Sequence, residues 1–301
     1  MVTTRPGRAV AQVLGAAVLF GTTGTAQALG PVGTTPLGVG AARLVVGGTV
    51  LLCALPLLGG RLSRAVALWR SGVGLAAGVC TALYQLCFFA AVQHAGVALG
   101  TLVTIGSGPV FAGMLALAAL GETPTRSWLT ATGLCVLGLG LLTADGAGKG
   151  GRGLSGLLLA LGAGMAYAVY TVAAKQLIAR GDASATVMGS AFGLGGFLLV
   201  PVLLTQPLVW LGTPTGIALA AYLGLFTTGL AYVLFGRGLA VLAAGPVTTL
   251  VLAEPLVASL LGVTLLHERL APVGATGAAA VLAGLVLQGV NATRQPAAAS
   301  V

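Results

Sequence analysis

Apolar stretches of about twenty residues, the length that crosses a bilayer as a helix, recur along the whole chain and are separated by short polar or Gly/Pro punctuation. Ten such spans can be drawn, at 9–29, 36–58, 71–93, 97–120, 126–144, 153–174, 184–204, 216–238, 244–266 and 271–291. The breaks carry turn chemistry, as in Gly30-Pro31-Val32-Gly33, Gly121-Glu122-Thr123-Pro124 and Arg180-Gly181-Asp182. Every loop is short, so no soluble domain fits between spans. The first span follows Arg5 and Arg8, and Ala26-Gln27-Ala28 imitates a signal cleavage site. Its apolar run exceeds the ~7–15 residues of a signal core, which favours an uncleaved helix.

The pattern repeats. Pro109 and Glu122 stand thirteen residues apart, as do Pro255 and Glu268, at an offset of 146. Gly133 and Gly140 match Gly277 and Gly284 at an offset of 144. Five spans per half is an odd number, so the halves must lie upside down relative to each other. The expectation is an all-α polytopic membrane protein whose ten transmembrane helices form two inverted five-helix repeats. A cytoplasmic tail (1–8) precedes the first repeat (9–144), a connecting loop (145–152) leads to the second (153–291), and a cytoplasmic tail (292–301) follows. Matching interruptions in inverted repeats point to a secondary transporter with its site near the midplane.

Composition agrees. Of 301 residues, 57% are hydrophobic and only 6% charged, too few to coat a soluble globule and too apolar for a disordered chain. The formal net charge of +9 comes from scattered cations, which lack the clustering of a nucleic-acid surface. Arg5, Arg8, Arg61, Arg64, Arg70, Arg126, Lys175, Arg180, Arg237 and Arg294 fall on one side of the ten-span scheme, against Lys149, Arg152 and Arg269 on the other. By the positive-inside rule both termini are cytoplasmic in a cell (plasma or inner) membrane. The four Cys lie inside apolar stretches without metal-ligand spacing and read as core residues. Neither a cofactor nor a metal is called for.

On Arg43 early in the second span, the Pro109 to Glu122 and Glu254-Pro255 to Glu268 stretches, and the glycine-led fifth and tenth spans, the chain resembles the EamA-type members of the drug/metabolite transporter superfamily, over residues 9–291. The resemblance implies ten helices, inverted repeats, a central cavity, and movement of small metabolites, often outward.

Arg43 and Glu254 are the candidates with most chemistry. A charge within a span carries a penalty of several kcal/mol unless it faces a polar interior. Arg43 therefore reads either as a cavity residue that attracts a substrate carboxylate or pairs with Glu254, or as an arginine snorkelling to the surface. Glu254 reads as a group that binds and releases a proton during turnover, or as a hydrogen-bonding partner for backbone freed by Pro255. Pro109 and Pro255, in matching positions, read as helix breaks that shape or gate a cavity. Phe20, Tyr84, Gln85, Tyr167, Tyr170 and Tyr232 are candidates to stack on or hydrogen-bond an amphipathic substrate, the alternative for each being core filling. Trp69, Trp128 and Trp210, near span ends, are expected at the membrane interface. Lys175, Glu122 and Glu268 are expected to anchor helix ends.

The function expected is a secondary transporter of a small organic metabolite, amino-acid-like or drug-like, exporting by alternating access. No Walker loop is present to use ATP, so any coupling runs through an ion, with protons the candidate, or through the substrate's own gradient. Few intramembrane cations argue against phosphorylated cargo. A passive channel or facilitator is the alternative, and an intramembrane enzyme lacks a nucleophile–base pair or metal ligands. The partners expected are the small-molecule substrate and the lipid bilayer, with monomer or homodimer left open.

Overall fold

Thr35, Ser71, Thr125 and Thr213 each accept a hydrogen bond from the backbone N–H three residues on, starting four of the helices. Such caps satisfy amides that a helix start leaves free. A computed structural model describes residues 6–144, 154–267 and 271–294. The connecting loop, both chain ends, Glu268 and Arg269 lie outside the described residues.

The helices are α1 (Pro6–Ala28), α2 (Pro36–Ala54), α3 (Leu62–Leu68), α4 (Gly72–Ala95), α5 (Val97–Leu120), α6 (Arg126–Leu142), α7 (Leu154–Ala179), α8 (Ser184–Leu204), α9 (Pro214–Gly224), α10 (Ala231–Val241), α11 (Ala244–Leu250), α12 (Ala253–Leu265) and α13 (Pro272–Arg294). Among the described residues nine helical stretches are long and apolar enough to cross a membrane. The tenth, α6, has 17 residues and a length of about 26 Å, at the lower limit for spanning. Large apolar side chains such as Met114, Leu137, Phe197 and Leu282 are exposed, as a lipid-facing surface requires. The chain is an all-α polytopic membrane protein.

Inversion of the repeats is visible where equivalent helices meet. Along α8, Gly189, Gly193 and Gly196 face Leu55, Leu52 and Leu44 in turn, so the second and seventh spans run antiparallel. Along α6, Cys135 faces Gly284 while Gly138 faces Gly277, so the fifth and tenth do too. Glycine is what permits this. A methyl at Gly138 would sit 2.6 Å from the Gly277 carbonyl oxygen, and lipid-embedded helices associate through such close backbone approach because no hydrophobic force separates them from lipid tails.

Three features depart from the sequence-based expectation. The short helix α3 precedes the third span on the end where α5 meets α6. The eighth span is not one regular helix: Leu225–Leu230 forms a π-helical turn between α9 and α10. The ninth span, where Pro255 reads as a helix break, is divided at Val251–Leu252 into α11 and α12. Pro255 has no N–H to give the Val251 carbonyl, which accepts instead from Glu254 N at 2.8 Å. Pro109, expected as the matching break, is not one: α5 continues through it. Neighbouring contacts with α7 hold it, through Thr104, which donates to the Ala160 carbonyl at 3.1 Å, and through Gly108, packed against the Tyr167 ring.

Two interface residues are also reassigned. Trp128 and Trp210 are buried rather than interfacial. Trp128 Nε1 donates to Thr249 Oγ1 at 3.1 Å across the repeats.

Candidate functional site

Between the repeats lies a cavity of about 390 Å³. Its wall is assembled from the later turns of α1, the first two turns of α2, the second half of α4, the first half of α5, the middle of α7, and the starts of α10 and α12. Each of Phe20, Arg43, Tyr84, Gln85, Tyr167, Tyr170, Tyr232 and Glu254 lines it. Gln27, Pro36 and Val97 at helix ends complete the rim, and Val97 is 70% exposed, so the cavity runs from mid-membrane to the end where α1 turns into α2. A side chamber of about 30 Å³ between Tyr84, Thr104, Tyr167, Thr248 and Glu254 extends it inward.

Arg43 lies two turns into α2 and reaches across the repeats, donating from Nε to Thr228 Oγ1 at 3.2 Å. Thr228 belongs to the π-helical turn, and such turns re-aim a side chain by adding one residue to a helical coil. Gly47 lets that turn approach, since a methyl there would collide with the Thr228 side chain. The guanidinium is thus tied to the second repeat rather than to the surface.

Glu254 occupies the first turn of α12, just past the break. Gly21 of α1 abuts it: a methyl at Gly21 would lie 2.8 Å from the Glu254 carbonyl oxygen and 2.6 Å from Val257 Cβ. Arg43 and Glu254 face the same space without forming an ion pair. Among the described residues the sole ion pair is Arg64–Asp182, at 2.6 Å.

The remaining wall is aromatic. Tyr84 stacks with Phe88 (ring centroids 5.9 Å apart) and meets Tyr167 at 6.1 Å. Phe20 and Tyr232 lie 5.0 Å apart. The hydroxyls of Tyr170 and Tyr232 share a hydrogen bond of 3.2 Å, which makes Tyr170 a buried back wall. Gln85 Nε2 donates to the Gly40 carbonyl at 3.1 Å, so its amide clamps α4 to α2. By contrast, the hydroxyls of Tyr167 and Thr23 are buried without a protein partner among the described residues. Phe88, Phe89, Thr23, Gln27 and Thr101 also line the cavity and escaped sequence reasoning. For Phe88 and Gln27 the signal was available, one helical turn from Tyr84 and two from Phe20, on the same faces.

The far end of the bundle is closed by contacts between the repeats. Arg64 holds Asp182 with two bonds of 2.6 and 3.0 Å, Trp69 Nε1 donates to the Ser190 carbonyl at 2.9 Å, and Ser190 Oγ donates to the Ala65 carbonyl at 2.8 Å. Lys175 is partly buried and donates to the carbonyls of Leu239 and Leu242 at 2.8 and 2.9 Å. Glu122 Oε2 accepts from the Ala244 amide at 2.8 Å. Burial pushes the Glu122 carboxyl above the usual carboxylate range, opposed by this hydrogen bond and by Lys175. No group of three His, Cys, Asp or Glu among the described residues gathers to hold a metal.

Comparison with known proteins gives a consistent picture. A Bacillus subtilis (strain 168) protein named "Uncharacterized transporter YwfM" is 41% identical over 277 residues, covering 91% of both chains. A solved crystal structure superposes with a TM-score of 0.79 over 95% of this chain and 98% of that one; at 20% identity this is a likeness of fold alone. The model of the EamA-like transporter family matches twice, at residues 7–144 and 154–289. Since those two matches cover nearly the whole length and coincide with the two halves whose equivalent helices run antiparallel, this multi-pass membrane protein belongs to the EamA-like transporter family.

Proposed function

We propose that the chain is a secondary carrier for a small amphipathic metabolite, amino-acid-like or drug-like, which it exports across the cell membrane by alternating access. The observation that carries this reading is the cavity itself. It has the volume of a small-molecule site, lies between inverted repeats, reaches one membrane face and stops short of the other. A channel would need a path to both faces, so the closed end favours a carrier.

The lining suggests how a ligand is held. With Nε engaged by Thr228, Arg43 offers its terminal nitrogens to a carboxylate or similar oxyanion, a charge-assisted contact. Glu254 faces the same space and suits an ammonium group or a coupling proton. Tyr84, Phe88 and Tyr167 supply flat apolar surface, and the unpartnered hydroxyls of Tyr167 and Thr23 supply hydrogen bonds. Pro255 shapes the break beneath Glu254.

Arg61, Arg64, Arg70, Arg126, Arg180 and Arg237 belong to the end with the α5–α6 turn, which is cytoplasmic by the positive-inside rule. Both termini then lie inside and the mouth faces out. Reporter insertions after Asp182 and after Thr205 should report inside and outside respectively; both on one side overturns this orientation.

The functional test is an untargeted comparison of metabolites excreted by overexpressing and deletion strains. Counterflow of the enriched compound in proteoliposomes then follows. Saturable counterflow supports the carrier; flux that neither saturates nor exchanges against trapped substrate overturns it.

A further inference from the structure

Glu122 and Lys175 grip one short piece of chain from two directions. Between Val241, where α10 ends, and Ala244, where α11 begins, the second repeat turns at the closed end of the bundle. Lys175 of α7 holds the outgoing side through the Leu239 and Leu242 carbonyls. Glu122, in the α5–α6 turn of the first repeat, holds the incoming side through the Ala244 amide. The joint is not packed solid. A cavity of about 50 Å³ borders Glu122, Trp128, Ala243 and Pro246, leaving room for the two turns to part.

α11 connects this joint to the central cavity. Its seven residues, Ala244–Leu250, reach about 10 Å at the helical rise and end at the Val251–Leu252 break. Val251 and Glu254 beyond it line the cavity. Near its cavity end, Thr249 is held by Trp128 Nε1 at 3.1 Å and by Thr132 Oγ1 at 2.8 Å. The segment is thus a short rod, fastened to the first repeat near both ends, with a helix break at its cavity end and a carboxyl clasp at the other.

We propose that Glu122 is a conformational latch: its carboxyl, clasped on the Ala244 amide across the repeats, keeps the end remote from the cavity mouth shut, and that end opens when the clasp lets go. This rests on the carrier reading above, because only an alternating protein needs that end to open. Glu122 is a positioning residue that touches no substrate and acts through α11. A hydrogen bond released on opening biases such an equilibrium roughly 3- to 10-fold.

The test is hydrogen–deuterium exchange of the full-length protein in lipid nanodiscs, comparing wild type with Glu122→Ala and Glu122→Gln. Two regions are read together: residues 240–250 at the clasp and residues 92–101 at the mouth. In Glu122→Ala the clasp region should exchange about 3- to 10-fold faster while the mouth region exchanges more slowly, because populations move from one closed end to the other. Glu122→Gln keeps a neutral acceptor oxygen for the Ala244 amide and should hold the clasp at least as well as the carboxylate, which also guards against a misfolded alanine variant. Faster exchange at the clasp with an unchanged mouth means a local bond and overturns the latch, as does wild-type exchange in both regions. The carrier reading fails separately: if wild type shows no counterflow of any excreted metabolite but the reciprocal exchange occurs, the latch stands and the transport assignment falls.

Discussion

Replacing Gly21 with alanine tests the placement of Glu254 most directly. The added methyl would lie 2.6 Å from Val257 Cβ and 2.8 Å from the Glu254 carbonyl oxygen, where ordinary contacts are about 3.5–4.0 Å. Neither obstacle can rotate aside, one being a β-carbon and the other backbone. α12 must therefore retreat from α1 by roughly 1 Å, or the helices must strain in place. Overpacking of this kind costs about 1–3 kcal/mol, and the displaced segment carries Glu254 along the cavity wall. If the same strain enters the transported complex, the half-saturating concentration should rise roughly 5- to 150-fold. The assay pairs thermal melting of purified protein with counterflow in proteoliposomes. Gly133→Ala is the control: no atom lies within 4 Å of a methyl there, and alanine is the better helix former by up to about 1 kcal/mol, so melting should be unchanged or higher. A Gly21→Ala protein that melts and transports like wild type would refute the close α1–α12 approach and with it the stated position of Glu254.

Other outcomes follow from the same geometry. Arg43→Ala removes the guanidinium facing the cavity and should raise the half-saturating concentration of carboxylate substrates about 10- to 100-fold while sparing neutral ones; equal effects on both would demote Arg43 to a brace for Thr228. Glu254→Gln should abolish accumulation driven by a proton gradient but retain counterflow, and a variant with unaltered pH dependence removes the coupling role. Because burial raises the Glu122 carboxyl in the clasped state, that state holds its proton more tightly than one in which the carboxyl is wet. The clasp is therefore favoured fully below the ordinary carboxylate range and is lost as pH rises through the raised value. Lys175 is the charged side chain that bears on Glu122. Exchange at residues 240–250 should accelerate with pH beyond its intrinsic increase, and Glu122→Gln should erase the excess.

Much of the site was legible before folding because the relevant energies are local. A charge inside an apolar stretch is expensive wherever the helix ends up, so Arg43 and Glu254 stood out. An aromatic or amide in a span whose partner repeat carries another was a reasonable lining candidate, and the eight candidates border one cavity. Their use in transport remains the subject of the assays above. Lys175 and Glu122 were legible only as helix-end charges, because nothing along the chain says that the turn at Leu242–Ala244 is what they hold.

Span length, alternating loop charge and the Pro-to-Glu spacing were enough to determine an all-α membrane protein built from two halves, since bilayer thickness acts on each segment separately. Tertiary structure decided which helices meet. With 49 glycines in the chain, close approach is permitted almost everywhere, and only three-dimensional packing selects Gly21 for α12 and Gly138 for α13. Packing likewise turned Arg43 toward a π-helical threonine, buried Trp128 on Thr249 and carried α5 unbroken through Pro109. In lipid, helix pairing depends on shape and on a few cross-helix hydrogen bonds rather than on burying apolar surface from water, so the hydrophobic pattern that draws the spans carries no instruction about their neighbours.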